Sequence, residues 1–278
     1  MKRIHVVGCG PRSGTTLIAE MMIACFEIDL FMERERHITT LPDRPADIFL
    51  TKIPIDVLII KPVLHLMKNL YVIYMLRDPR DMIVSKHGAD PDRYWASLKF
   101  WQTYTPYGDS LRNHPRFITV RYEDLIMKPD MVQTDLMSKM PFLKKRIPFS
   151  LYHERAYPAE QARKALGDVR PLSMVNIGNW RRHLPRIAGQ LHQHGSISED
   201  LIAYGYEPDT AWEKELEGIA PDFSESHWPE YYSKGALRSR RKLRYLKAIW
   251  VVLGHSWLCM IMRKWFGIAF GRLKALCN

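Results

Sequence analysis

The sequence predicts an α/β fold with a central, mostly parallel sheet flanked by helices, and two patterns indicate this class. Four short apolar runs, at residues 4–7, 48–53, 71–76 and 117–120, are typical of strands buried on both faces. Segments with apolar residues at helical spacing, or with helix-capping residues, lie between these runs. Strands that alternate with helices favour a parallel sheet, so we expect ligands to bind at the carboxyl ends of the strands.

The first half of the chain follows this alternation closely. The strand at 4–7 leads through a glycine-rich turn at 8–16 into a helix that carries apolar residues at helical spacing up to Cys25. A polar segment with the charged sequence Glu-Arg-Glu-Arg at 33–36 precedes the strand at 48–53, which Pro54 stops. Residues 57–70 are predicted to be helical in their second half, before the central strand at 71–76.

The second half is less regular. Asp78 can cap a helix that runs through Ser85, because Pro79 fits its first turn. We expect a helix from Asp92 to Trp101 and beyond, a strand at 117–120, and another helix after Asp124. The pattern assigns no element to residues 130–165 and predicts a loop at 170–180.

Composition divides the chain into two parts, 1–233 and 234–278. The chain has 278 residues, of which 46% are hydrophobic, enough for one sizeable domain. Eleven of its 41 Lys and Arg residues, and none of its 30 Asp and Glu, follow Ser233, so the body is neutral and the tail carries the net charge of +11. Such an asymmetry predicts a tail that binds an anionic surface.

The tail also contains a mostly apolar stretch at 248–262 with Trp250 and Trp257. A helix of this length spans about 22 Å, less than the ~30 Å of a bilayer core. Basic flanks and tryptophans favour amphipathic helices that lie in the membrane interface. A C-terminal helix packed on the domain is the alternative, and the apolar content argues against a nucleic-acid surface.

The cysteines and the start of the chain bear on the compartment. The four cysteines match neither a metal-ligand spacing nor a disulfide framework, which favours a reducing compartment. Because the first strand begins almost at Met1, we expect no signal peptide. The predicted location is therefore the cytoplasm, peripheral at the inner face of the membrane.

The glycine-rich turn at 8–16 is the strongest candidate for a binding site. The N-terminus of a helix offers unpaired N–H groups and favours negative charge. Ser13, Thr15 and Thr16 add hydroxyl donors, Gly14 allows close approach of the backbone, and Arg12 adds a planar cation suited to phosphate or sulfate. An ordinary turn between strand and helix is the alternative. A Walker A loop is excluded because Thr15 stands where that motif requires Lys.

Three further polar residues follow predicted strands and would meet this loop at the same edge of the sheet. They are Lys52, Arg77 and Tyr122. A lysine at the end of a strand is otherwise an ordinary surface residue. The coincidence of three such positions favours one shared site.

These motifs resemble those of sulfotransferases that use 3′-phosphoadenosine 5′-phosphosulfate (PAPS), and they occur in the family's order from residue 4 to about 185. The segment 11–16 is similar to the loop that binds the 5′-phosphosulfate. The segment 77–81 with Ser85 is similar to the 3′-phosphate motif. The segments 121–125 and 177–180 resemble the family's next strand end and its late Gly-Trp segment. The spacing is most similar to the carbohydrate and tyrosylprotein branches.

The resemblance implies a P-loop-like fold and transfer of a sulfonate group from PAPS to a hydroxyl, without a metal. Arg12, Ser13, Gly14, Thr15 and Thr16 would hold the 5′ end of the nucleotide. Arg77 and Ser85 would hold the 3′-phosphate, Tyr122 would lie near the adenosine, and Arg170, in a basic-Pro pair, would contact the nucleotide. A glycan or lipid-linked glycan hydroxyl is the predicted acceptor, before peptide tyrosine and small alcohols.

The resemblance also implies catalytic roles. Lys52 before Ile53-Pro54 is similar to a lysine that, with Arg12, would stabilise charge on the leaving phosphate. The acceptor hydroxyl needs a general base, and the family's Lys-x-His base is absent because Pro54 stands in the place of the His. The interval after Arg12 used in the tyrosylprotein branch leads to Glu33, with Glu35 as second candidate. A solvated charged loop is the alternative.

The remaining charged residues are expected to be structural. Arg80 should fix its loop by ion pairing, and His5, His37, His65 and His87 are expected to be structural or on the surface. Two other functions stay open: a P-loop-like kinase or nucleotide hydrolase, and a catalytically inactive nucleotide-binding scaffold at the membrane.

Overall fold

The computed structural model describes residues 1–88 and 90–228, together with Lys242, Tyr245 and Leu246. Its main feature is a five-stranded sheet in which all neighbouring strands are parallel, in the order β2-β3-β1-β4-β7. Its strands are Lys2–Gly8 (β1), Leu30–Phe31 (β2), Ile48–Lys52 (β3), Leu70–Leu76 (β4) and Phe117–Arg121 (β7). The α/β class and the four long strands are therefore as predicted.

Helices connect the strands and continue beyond the last one. They are Thr15–Cys25 (α1), Ile60–Leu66 (α2), Pro79–Ile83 (α3), Leu98–Asp109 (α4), Tyr122–Met127 (α5), Pro129–Lys139 (α6), Glu160–Leu166 (α7), Leu184–His194 (α8) and Ser198–Ala203 (α9). Short 3₁₀ turns lie at Pro54–Leu58, Phe149–Glu154, Met174–Asn176, Asn179–Arg182 and Ala211–Leu216. As expected, Asp78 caps α3 by accepting a hydrogen bond from the N–H of Arg80.

Both faces of the sheet are buried, which explains the nearly continuous apolar runs. Successive residues of a strand point to opposite faces, so Val6 joins the core under α1 and α5, whereas Val7 joins the core under α2 and α4. Ile73 and Tyr74 of β4 divide in the same way. The sheet is thus a rigid layer whose strand ends can hold a site.

The order of the strands places a crevice after β1. The chain leaves β1 for β3 on one side and later returns to β4 on the other side of β1. Ligands of open parallel sheets bind at such a reversal point, because the connections diverge there and leave the strand ends uncovered. The glycine-rich turn at 8–16 begins at this point.

One predicted helix is partly wrong. Residues 92–94 belong to Asp90–Tyr94 (β6), which pairs antiparallel with Lys86–His87 (β5), and α4 begins only at Leu98. The N–H of His227 donates to the carbonyl of Tyr94 at 2.8 Å. The β6 segment therefore bonds to a residue 133 positions away along the chain. No local sequence pattern predicts such a partner.

Apart from Lys242, Tyr245 and Leu246, the predicted tail helices at 234–278 lie outside the described residues. The boundary at residue 233 therefore stays a prediction. Among the helices that the structure describes, none combines the length and the apolar composition required to span a bilayer.

Candidate functional site

The turn after β1 forms a cradle of backbone donors. Helix α1 begins at Thr15. Among the described residues, the backbone N–H groups of Ser13 and Gly14 have no backbone acceptor. The Oγ of Ser13 is fully buried and has no hydrogen-bond partner among the described residues. Buried donors without acceptors are costly, so this cradle is suited to an anion that would accept their hydrogen bonds.

Gly14 is required here for two reasons. Its φ of 93° lies in the left-handed region that side chains avoid. A Cβ at this position would stand 2.6 Å from the ring of Tyr122. The loop therefore packs directly on the residue that follows β7.

Arg77, at the end of β4, joins the loop to the rest of the site. Its guanidinium donates to the carbonyl of Arg12 at 2.8 Å and to the carbonyl of Asn176 at 2.9 Å. It also lies 4.1 Å from the centre of the Tyr122 ring, a cation–π contact. Three distant segments are thereby held at one point.

Arg12 reaches the same region from the loop. Its Nε donates to the Oγ of Ser85 at 2.9 Å, and its Nη1 to the carbonyl of Ala165 at 3.1 Å. Burial, together with the charge of Arg77, lowers the pKa of Arg12 to about 10. Among the ion pairs between described residues, neither Arg12 nor Arg77 has a carboxylate partner. Their positive charge is therefore available to an anion.

The neighbouring Arg80 shows the contrast. It forms ion pairs with Asp78 at 2.7 Å and Glu207 at 2.6 Å, and it lies between the rings of Trp180 and Trp212. Its charge is thus neutralised inside the fold, in agreement with the structural role expected for it.

Asp81 positions the late Gly-Trp segment. Its two carboxylate oxygens accept hydrogen bonds from the N–H groups of Gly178 at 2.8 Å and Trp180 at 3.0 Å. This fixes the segment that presents Asn176 to Arg77. The sequence match at 177–180 therefore corresponds to a wall of the site.

Lys52, at the end of β3, lies at the other side of the loop. Its Nζ donates to the Oγ1 of Thr16 at 2.8 Å, and only 5% of its surface is exposed. Burial lowers its pKa, and the carboxylates of Glu35 and Glu20 oppose this shift. The structure thus places Lys52 at the anion loop. The inactive-scaffold hypothesis does not require this placement.

Glu33 and Glu35 stand beside Lys52 on a segment held against β3. The N–H of Arg36 donates to the carbonyl of Lys52 at 2.9 Å. Both glutamates are exposed at the wall of the cavity. Partial loss of hydration raises the pKa of Glu35, and the charge of Lys52 opposes the shift.

A buried carboxylate anchors the same segment. Asp56 accepts hydrogen bonds from His37 at 2.7 Å and from the N–H of Ile38 at 2.6 Å, and it lies 3.2 Å from His5. Burial alone would raise the pKa of Asp56, but the bonds and charges of the two histidines hold it well below its usual range. His5 and His37 therefore have the structural role expected of them.

A cavity of about 660 Å³ joins these groups. It extends from Lys52 and the glutamates, past the loop, to Tyr122 and Arg170, and its size is typical of small-molecule sites. An adjoining cavity of about 340 Å³ has a cationic wall, made of Arg12, Arg77, Lys86, Lys164 and Arg170 together with Ser85. Lys52 and Thr16 line only the larger cavity, whereas Arg12, Arg77, Lys164 and Arg170 line both, so the cleft has cations at Lys52 and at this shared wall.

The predicted site residues thus lie together in the structure. Arg12, Ser13, Gly14, Thr15, Thr16, Glu33, Lys52, Arg77, Ser85, Tyr122 and Arg170 all lie at this cleft or in its loop. The guanidinium of Arg12, however, reaches Ser85, which the sequence assigned to the opposite end of the ligand. The roles of these residues stay predictions.

Sequence reasoning missed several residues of the site. Glu20 is buried, and its pKa is raised by desolvation while Lys52 opposes the shift. Its position four residues after Thr16, on the same face of α1, could have been noticed. Asn176 and Trp228, by contrast, have no local signal.

Comparisons with known proteins find likeness only among solved structures. No family model and no curated protein matches the chain. The sulfotransferase domain from the curacin biosynthetic pathway is 15% identical, with a TM-score of 0.42, over 88% of this chain and 98% of that chain. Mouse sulfotransferase SULT7A1 complexed with PAP is 12% identical, with a TM-score of 0.36, over 96% and 88%.

A third similar structure is retinol dehydratase in complex with androsterone and inactive cofactor PAP. It is 14% identical, with a TM-score of 0.30, over 92% of this chain and 82% of that chain. At these identities and TM-scores, the function of this chain has to be inferred from its own residues.

The packing of the loop on Tyr122 gives a first prediction. Replacing Gly14 by Ala should destabilise the protein by more than the about 1–2 kcal/mol that a left-handed backbone costs an L-residue, because Cβ would also displace Tyr122. Gly218→Ala is the matched control, since Gly218 has a φ of 73° and open space around it. Urea denaturation of both variants measures the difference, and equal losses would contradict the described contact.

Proposed function

We propose that this chain is a PAPS-dependent sulfotransferase that moves a sulfonate group from PAPS to an acceptor hydroxyl. The observation that carries the proposal is the pair of buried Arg77 and half-buried Arg12, which lie at the anion loop without carboxylate partners among the described residues. PAPS has anionic groups at both ends, which fits a cleft with cations at two points. The order of the motifs along the chain supports the same donor.

The residues fit the two ends of the donor differently. Arg12, Arg77 and Ser85 line both cavities, and the cationic wall that they form in the smaller one is suited to the 3′-phosphate. The donors of the 8–16 turn, with Lys52 at Thr16, are suited to the 5′-phosphosulfate. For Arg12 to act at the 5′ end, its guanidinium would have to leave Ser85.

The chemistry needs few groups from the protein. The acceptor oxygen forms a bond to sulfur, the bond between sulfur and the 5′-phosphate oxygen breaks, and the hydroxyl proton goes to a carboxylate. Adenosine 3′,5′-bisphosphate (PAP) leaves with additional negative charge, which Lys52 and the loop N–H groups would stabilise. No step of this transfer calls for a metal.

Glu35 has better support as the general base than Glu33. Partial loss of hydration raises its pKa, against the charge of Lys52, and a carboxylate with a raised pKa is a stronger base. Glu33 lines the same wall and remains the second candidate.

The predicted acceptor and location belong to the proposal as well. A glycan or lipid-linked glycan hydroxyl would be reached from a chain held at the inner face of the membrane by residues 234–278. The basic residues of that segment and its apolar stretch support this role.

Transfer of ³⁵S-labelled sulfonate from PAPS tests the activity, and PAP binding by calorimetry tests the site. Arg77→Ala should weaken PAP binding by about 10- to 100-fold, because a hydrogen bond to a charged group contributes about 1.5–3 kcal/mol. Arg112→Ala is the control, since Arg112 lies on the surface in an ion pair with Asp109. Turnover of ATP with Mg²⁺, without PAP binding, would favour the kinase or hydrolase hypothesis. PAP binding without sulfonate transfer to any acceptor would favour the inactive-scaffold hypothesis.

The dependence of kcat/KM on pH tests the base. The rate should fall as pH drops through the pKa of Glu35, which lies above 4.5, because the base must be deprotonated. It should fall again as pH rises through the pKa of Lys52, which lies below 10.5, because the cation is then lost. Glu35→Gln should remove the acidic limb and lower kcat by about 10²- to 10⁴-fold.

Glu33→Gln is the matched control for this experiment. If Glu33→Gln removes the acidic limb instead, Glu33 is the base. If both variants keep the limb, neither carboxylate accepts the proton.

Vesicle flotation tests the tail. The full chain should float with anionic vesicles, and a chain ending at residue 233 should not, since each basic residue near an anionic surface contributes about 1 kcal/mol. High salt should weaken the binding, and PAP binding by the shortened chain shows that it is folded. Equal flotation of both chains would contradict the anchor.

A further inference from the structure

The cleft has an aromatic corner that anion binding does not use. Beyond Lys52, its wall is made of Pro54, Ile55, Trp95, Phe100, Tyr104 and Trp228. These side chains carry no charge, and they line the same cavity as the glutamates proposed to accept the proton. The acceptor has to enter from this side if the nucleotide occupies the cationic side.

The corner is built from a stack of rings. The indole of Trp95 stacks with His87 at 4.1 Å and with His227 at 4.1 Å between ring centres, with interplanar angles of 21° and 10°. A hydrogen bond of 2.7 Å between His227 Nδ1 and a carboxylate oxygen of Asp90 links the stack to the β5–β6 hairpin. The stack is therefore held in place before any ligand binds.

Trp228 completes the corner. Its backbone N–H donates to the carbonyl of Trp95 at 3.2 Å. Its ring contacts the Trp95 ring edge-to-face, with 6.1 Å between the ring centres and an interplanar angle of 89°. It lines the cleft and remains 42% exposed. A large indole surface is thus presented to the acceptor side of the cavity in a fixed orientation.

Another part of the cavity lining has a different chemistry. It is formed by Glu33, Arg34 and Glu35, which are exposed. Such groups bind hydroxyls by hydrogen bonds, and they lose hydration at a cost if an apolar ligand covers them. The acceptor must therefore offer a flat apolar face on one side and polar groups on the other.

We propose that Trp228 and its supporting Trp95 stack form an acceptor subsite that seats the C–H face of a pyranose ring, while the wall at 33–35 binds the ring's hydroxyls. This inference rests on the proposed sulfotransferase function. The C–H groups of a pyranose carry slight positive charge, and the face of an indole is negative, so the two attract. A sterol would leave Glu33 and Arg34 without partners.

The experiment combines binding and kinetics on the full chain. Neutral disaccharides of glucose, galactose and N-acetylglucosamine are offered to the PAP-saturated protein, and binding is followed by saturation-transfer NMR. With PAPS, ³⁵S transfer to the same sugars is compared with transfer to 4-nitrophenol, a hydroxysteroid and an acidic tyrosine peptide. We expect binding and transfer for at least one disaccharide, above all three other acceptors.

Substitutions then locate the subsite. Trp228→Ala should raise the KM for the sugar at least tenfold, with kcat changed less than threefold, and Trp228→Phe should fall between. Phe223→Ala is the control, because Phe223 is 49% exposed, contacts His192 and does not line the cleft. PAP binding should be unchanged within twofold in every variant, which also shows that each is folded.

The outcomes separate the two proposals. If the wild-type chain does not bind PAP, the proposed function fails, and the subsite with it. If PAP binds but sugars bind no better than phenol, sterol or peptide, or Trp228→Ala leaves the KM unchanged, only the pyranose subsite is overturned.

Discussion

The site depends on two guanidinium groups that the fold takes largely out of water without neutralising them. Among the described residues, the polar and aromatic partners of Arg12 and Arg77 are carbonyls, a hydroxyl and an aromatic ring, at the ends of β1 and β4. Taking a charge out of water without an opposite charge is costly, so this arrangement has to be held by the surrounding structure. The parallel sheet does so, because β1 and β4 fix the starting points of both segments and the Gly-Trp segment closes over them. An anionic ligand would relieve the cost.

The neighbouring charges show that this is a property of position rather than of composition. Arg80 lies three residues from Arg77, yet it has two carboxylate partners and two indole faces around it. Asp81 spends both oxygens on the backbone of the Gly-Trp segment. The short segment 77–81 thus contains Arg80 and Asp81, which build the wall of the site, and Arg77, which faces the cleft. A similar division separates Asp56, which anchors its segment, from Glu35, which faces the cavity.

Most of the site could be predicted from the sequence because its residues lie at the ends of buried strands. Apolar runs of this kind are recognisable one by one, and parallel strands bring their ends to one edge, so Lys52, Arg77 and Tyr122 could be placed together in advance. The hairpin at 86–94 could not, since Trp95, directly after it, packs on His227 and Trp228, far along the chain. The hydrogen bond between Arg12 and Ser85 was equally hidden, because side-chain directions in a loop depend on what surrounds it.

Local sequence was sufficient for the class of fold, the anion loop and the cations at the strand ends, because strand burial and helix termini follow from short-range pattern and backbone geometry. Tertiary contacts alone decided that Glu207 joins Asp78 in neutralising Arg80, how Arg12 is turned, and that Trp95 and Trp228 form one wall with the cleft. These depend on partners separated by 73 residues for Arg12 and Ser85 and by 99 for Arg77 and Asn176. Such partners meet only after the sheet has formed, and no periodicity in the chain encodes their meeting.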